Sequence, residues 1–208
     1  MKLPFLVSSF LFTILLTKSL AVTSSSDEST TLVTDSNEDP ITVIKTPFFV
    51  IVTDDVIARI CYQTTYASQD FCRSTLYQFK GSTLFPMPLA SVLEATQTHA
   101  RKTAKKIWRI SDNLKYKSLE LKTKYDKCLN KYTKAANLLN DASKAIRDGK
   151  PASVRMYTSM AAEQVQSCNR KLNGNFLYGS QEILEDNRRF ADLASMITAI
   201  CNILSPGI

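Results

Sequence analysis

The sequence predicts an all-α fold, an up-and-down four-helix bundle preceded by a small N-terminal helical hairpin and stapled by disulfides. Three observations predict it. Long stretches place apolar or small residues at intervals alternating between three and four, the spacing of a helix that buries one stripe. Glycine (5) and proline (7) are scarce in a chain of 208 residues, which argues against loop-rich and collagen-like classes. Four of the five cysteines fall where neighbouring helices of such a bundle would bring them together.

Residues 1–21 carry Lys2, an uncharged stretch from Leu3 to Thr17, and small residues at Ser19 and Ala21. That is the pattern of a signal peptide cleaved before Val22, and the apolar stretch is shorter than the roughly 18 to 20 residues a membrane span needs. The expected destination is therefore extracellular, an oxidising compartment in which cysteine pairing is the first hypothesis. No membrane association is expected after leader cleavage. Residues 22–50 form an acidic, Ser/Thr-rich flexible tail and an extended segment, and 51–205 the helical domain. The stretch from Ile41 to Thr53, with its β-branched and aromatic run, is expected to lie extended on the domain without a partner strand.

Two short helices open the domain, with Asp54 and Ser68 in the position of N-caps. The first long helix follows Gly81 to Pro88 and carries its stripe on Leu89, Leu93, Thr96, Ala100, Thr103, Ile107, Ile110 and Leu114. The second repeats the rhythm on Tyr125, Cys128, Tyr132, Ala135, Leu139, Ala142 and Ile146. It stops at Gly149, and Pro151 suits the first turn of the third helix. Val154, Tyr157, Ala161, Val165, Cys168 and Leu172 line that helix, which gives way to a turn at Asn173, Gly174 and Asn175. The last helix, from about Ser180 to Leu204, uses Ile183, Phe190, Ala194, Ile197, Cys201 and Leu204. Short connections make consecutive helices antiparallel neighbours.

A bridge between Cys61 and Cys72 would hold the two short helices together, which alone are too short to be stable. Cys128 and Cys168 lie nearly equally far from the turn at Gly149, so an antiparallel pair brings them together. Closing a loop of this size stabilises by roughly 4 kcal/mol in the chain-entropy picture. Cys201 is left over as a small core residue, with an intermolecular bridge as the alternative.

These residues also resemble the plant pectin methylesterase inhibitor and invertase inhibitor family. Cys61, Thr64, Thr65, Tyr66, Phe71, Cys72 and Leu76 look like its opening signature. Leu121, Cys128, Tyr132, Ala135, Ala136 and Leu139 resemble its Cys-x-x-x-Tyr helix. Ser159, Ala161, Ala162 and Cys168 resemble its small-residue helix, and Ala199 to Leu204 its apolar C-terminal helix. The resemblance covers about residues 54–204. It implies a secreted bundle with disulfides in consecutive pairs that is no enzyme and needs no cofactor. Such proteins bind a cell-wall enzyme, either pectin methylesterase or an acid invertase (β-fructofuranosidase), noncovalently and occlude its active-site cleft. Ala67 stands where many members have proline, the acidic tail is longer than usual, and no Pro-Lys-Phe element of the invertase branch occurs. The expected target is therefore pectin methylesterase, in the apoplast.

The chemistry in the sequence agrees with a binder. His99 is the only histidine, expected partly exposed on a helix surface, and no metal-ligand spacing is present. Glu182, Glu185 and Asp186 suit the positive end of the last helix. The net charge of +7 divides unevenly: −5 over residues 22–60 and +10 over 61–208. Residues 101–134 alone hold twelve Lys or Arg against Asp112, Glu120 and Asp126. Such a run steers association toward an acidic surface, for which Lys127, Lys131 and Lys134 are the candidate partner-binding residues, or holds a polyanion such as acidic pectin. Nucleic acid is not expected, for want of any recognisable binding module.

Overall fold

The computed structural model describes residues 49–65, 68–172 and 179–205. The leader (1–21), most of the tail (22–48) and the turn at Asn173, Gly174 and Asn175 lie outside these described residues. Six helices follow one another: α1 (Asp54–Gln63), α2 (Gln69–Tyr77), α3 (Met87–Asn113), α4 (Leu119–Arg147), α5 (Pro151–Leu172) and α6 (Ser180–Leu204). The helix α4 lies between α3 and α5, and α6 closes the ring against both; α1 packs on α2 and on α6.

Each boundary has a local cause. The cap of α1 is Thr53, one residue before Asp54. Its hydroxyl accepts from the Val56 amide at 3.3 Å, and Asp54 and Asp55 occupy the first turn, where carboxylates favour the helix dipole. Ser68 caps α2 by accepting from the Phe71 amide at 3.2 Å, and Ser118 caps α4 through Leu121. Gly149, at φ 66°, ends α4 in a Schellman turn: the Lys150 amide donates to the Ala145 carbonyl and the Gly149 amide to that of Ile146. Pro151 then begins α5 with its missing N–H in the first turn. Gly179, at φ 73°, precedes α6 where a Cβ would stand 2.9 Å from Ile110 Cδ1, so that α3 comes within contact of the start of α6.

The extended segment before α1 does find a partner. Val52 donates to the Ser82 carbonyl and accepts from Gly81, Leu84 donates to Val50, and Ile51 bridges Thr83 in antiparallel sense. The side chain of Val52 is fully buried, and Val50 packs against the core. The partner, 82–84, lies in the connection to α3, whose composition carries no strand signature. Three ladder bonds suffice because the core covers one side.

Every stripe residue named for α4 is buried, as are those of α3 except Ile110 and those of α5 except Tyr157, which are half-buried. At the centre stands Tyr132, completely buried, whose hydroxyl donates to Asn187 Oδ1 at 2.6 Å. Asn187 Nδ2 in turn donates to Asn169 Oδ1 at 3.2 Å, so α4, α6 and α5 share one polar chain inside an apolar core. The Phe190 ring meets Tyr132 edge-on, with centroids 6.3 Å apart. Burial, and then the charge of Asp186, hold the Tyr132 phenol far above its ordinary range, so it acts as a neutral donor. One turn before it, Cys128 is bonded to Cys168 across a Cα separation of 4.7 Å; Cys61 and Cys72 join α1 to α2 at 5.6 Å.

Tyr132→Phe keeps the ring and removes the donor, leaving Asn187 Oδ1 unsatisfied in the core. The expected loss is about 1–3 kcal/mol in urea denaturation with helix content unchanged.

Candidate functional site

The basic run 101–134 does not make a single patch. The turn between α3 and α4 folds it back on itself, and the rotational setting of each helix sends its charges to different sides. Lys106 reaches α6, 2.7 Å from Asp186 and 3.7 Å from Glu182, and braces α3 against α6. Two of the three acids near the start of α6 thus serve as ion-pair partners as well as dipole partners. Glu185 pairs with Arg188 at 2.7 Å. Lys122 and Lys124 are held within α4 by Asp126 and Glu120, both four residues away.

Lys127, Lys131 and Lys134 are brought together. Their spacing places them on one face of α4 over about 10 Å. Lys131 Nζ donates to Gln164 Oε1 of α5 at 3.1 Å, which fixes that face as the flank of α4 beside α5. Lys127 and Lys134 are exposed and form no ion pair with any described residue. The other flank of α4 faces α3: Ser111 donates to Asp126, and Gln97 Nε2 donates to the Leu139 carbonyl at 3.1 Å and to Ser143 at 2.9 Å. The unpaired cations of α3 therefore lie away from the Lys127 face.

On the far side of α5 an open groove of about 600 Å3 runs between α5 and α6. Small and uncharged side chains form much of its lining, among them Ala162, Gln166 and Asn169 from α5 and Ala191, Ser195 and Thr198 from α6. The Ser195 hydroxyl donates to the Asp192 carbonyl at 2.8 Å. Neighbouring Asp192 has its carboxyl raised by burial, against the opposing charge of Arg189. Glu163 and Arg188 bring charge to the same lining.

His99 lies elsewhere, half-buried on α3, with Nε2 2.8 Å from the Asp186 carbonyl oxygen, a bond that ties α3 to α6. Among the described residues no group of three His, Cys, Asp or Glu could hold a metal ion. Cys201 is buried at 1% exposure, and burial pushes its thiol up to about 12, so a bridge to a second molecule would require α6 to leave the core.

The comparisons with known proteins bear on this scaffold. The family model described as plant invertase/pectin methylesterase inhibitor matches residues 55–200, from α1 almost to the end of α6. The chain belongs to the plant invertase/pectin methylesterase inhibitor family. Among solved structures, it resembles a mutant form of a pectin methylesterase inhibitor from Arabidopsis, with TM-score 0.60 and 21% identity over 70% of this chain and 95% of that one. It also resembles a pectin methylesterase inhibitor from Arabidopsis thaliana, with TM-score 0.56 and 20% identity over 75% of this chain and all of the other. At these identities the likeness shows the shared fold. No curated protein sequence matches the chain. The family consists, by its description, of inhibitors rather than enzymes. No helix among the described residues is long and apolar enough to cross a membrane.

Two features of the structure depart from the apolar stripes of the sequence. Asn187 occupies the gap in the α6 stripe, four residues after Ile183 and three before Phe190, where an apolar residue is expected; that gap was its signal. Trp108 stands 53% exposed on the outside of α3, and a lone exposed tryptophan has no sequence signature.

Asp126 offers a test of the electrostatics. Hydrogen bonds from Lys122 and then Ser111 hold its carboxyl below the ordinary value of 3.8. A carboxyl lowered in the folded state stabilises above the unfolded value, and that contribution fades as pH falls through the folded one. The melting temperature of Asp126→Asn should lie below that of the wild type at pH 7, and the two should converge as the pH falls below 3.8. Most of the gap should persist in moderate salt only if the Ser111 bond carries it.

Proposed function

We propose that this protein is a secreted inhibitor of pectin methylesterase that acts in the apoplast by lying across the active-site cleft of the enzyme without forming a covalent bond. The observation that carries the reading is that the family match is coextensive with the disulfide-bonded bundle. The two solved structures described above are pectin methylesterase inhibitors, and the chain has no Pro-Lys-Phe element. The leader 1–21 would route the chain to the cell wall, with residues 22–50 preceding the inhibitory domain.

Physical arguments support occlusion. A surface made of long helices with locked side chains loses little conformational freedom on docking, so most of the contact energy appears as affinity. Lys127, Lys131 and Lys134, together on one flank, would raise the rate of encounter with an acidic target surface more than the lifetime of the complex. The family description also names invertase, and inhibition of an acid invertase is the second reading.

Titration of the purified protein into a pectin methylesterase assay and an acid invertase assay decides between the two. Stoichiometric loss of esterase activity with invertase untouched is the expected result. Loss of invertase activity alone transfers the assignment to the second reading, and inhibition of neither enzyme refutes both. Reversing the three charges (K127E, K131E and K134E together) should slow association with the esterase about tenfold at low ionic strength, with the difference shrinking as salt is added. An unchanged association rate would return these lysines to solvent.

A further inference from the structure

Three of the cations of α3 that take no part in the bracing of the bundle form a second, separate surface. Arg101, Lys105 and Arg109 recur once per turn along the outer face of α3, a row about 12 Å long. Each is exposed, and none forms an ion pair with a described residue. Trp108 lies in the same arc of the helix, three residues from Lys105 and seven from Arg101, with 53% of its surface open. Asp112, one turn farther on, is the only acid of 101–112. In the following turn Tyr116 is 90% exposed, and the Lys115 ammonium stands 5.3 Å from its ring centre.

We propose that this face binds an acidic polysaccharide, a chain of uronic acid units. A linear row of cations complements a linear polyanion, and guanidinium groups donate to carboxylates in bidentate fashion. The exposed indole supplies what charge alone does not, a flat apolar platform for the C–H face of a pyranose ring. A phospholipid surface would match the charge, but it spreads its anions in two dimensions, whereas these cations form a single line along the helix.

The inference rests in part on the proposed function. Pectin methylesterase adds water to a methyl ester and releases methanol, leaving one carboxylate on the polymer for each ester cleaved. An inhibitor with a uronate-binding face would gather where the enzyme has already acted, so that inhibition rises with local product.

The test uses the full mature protein without any enzyme, so that its failure is distinct from failure of the inhibitor assignment. Retention is measured on polygalacturonate and on highly methyl-esterified pectin, with phosphatidylserine vesicles and single-stranded DNA as competing probes. The wild type should prefer polygalacturonate and release it as salt rises. Trp108→Ala should weaken binding by roughly fivefold or more, as expected for loss of an aromatic contact. The triple variant R101Q, K105Q and R109Q should lose most of it, with melting temperatures close to the wild type because all four side chains face solvent. Equal retention on both pectins, preference for vesicles or DNA, or unchanged binding by Trp108→Ala would each overturn the proposal.

Discussion

The rotation of α4 about its own axis governs most of what this molecule presents to its surroundings. Two contacts one turn apart fix that rotation: the bond from Cys128 to Cys168 on α5, and the hydroxyl of Tyr132 bound to Asn187 on α6. The first restricts the unfolded chain by roughly 4 kcal/mol in the entropic picture. The second has a geometric role as well, since a buried hydrogen bond is directional, whereas an apolar stripe tolerates small rotations at little cost. With α4 held in this setting, Lys131 meets Gln164 and Asp126 meets Ser111, so one flank is assigned to α5 and the other to α3.

The division of the basic run follows from that constraint. Within one contiguous stretch of sequence, Lys106 braces α3 against α6, Lys122 and Lys124 pair within α4, Lys127, Lys131 and Lys134 line the α5 flank, and Arg101, Lys105 and Arg109 line the outside of α3. Two cationic faces on one rigid body can serve two partners. Enzyme and polymer would then be held by different sides of the bundle, and neither would compete with the other for a surface. The hairpin is fastened to the same body by α1 on α6 and by the Arg189 guanidinium, 3.3 Å from the centre of the Phe71 ring on α2.

Much of this was legible in the amino-acid sequence, because helical stripes and the positions of Cys128 and Cys168 about Gly149 are one-dimensional signals of three-dimensional contact. What was less legible depended on tertiary partners. Residues 50–52 pair with 82–84, two segments brought together only once α1 and α2 have turned the chain back. Thr53 takes the cap of α1 instead of Asp54, a displacement of one residue that propensity does not resolve, since both side chains accept well. Asn187 reads as a flaw in a stripe until Tyr132 and Asn169 are seen on either side of it. The separation of the lysines into two faces required the rotational setting of α4, which no periodicity supplies.

The assignment of two partners to two faces is tested most directly by hydrogen–deuterium exchange of the mature protein alone, with pectin methylesterase, and with polygalacturonate. The account predicts that the enzyme slows exchange along the flank of α4 that carries Lys127 and Lys134 and along neighbouring α5, while the polymer slows it along α3 around Trp108. Protection of α3 around Trp108 by the enzyme, or of the same residues by both partners, would contradict it.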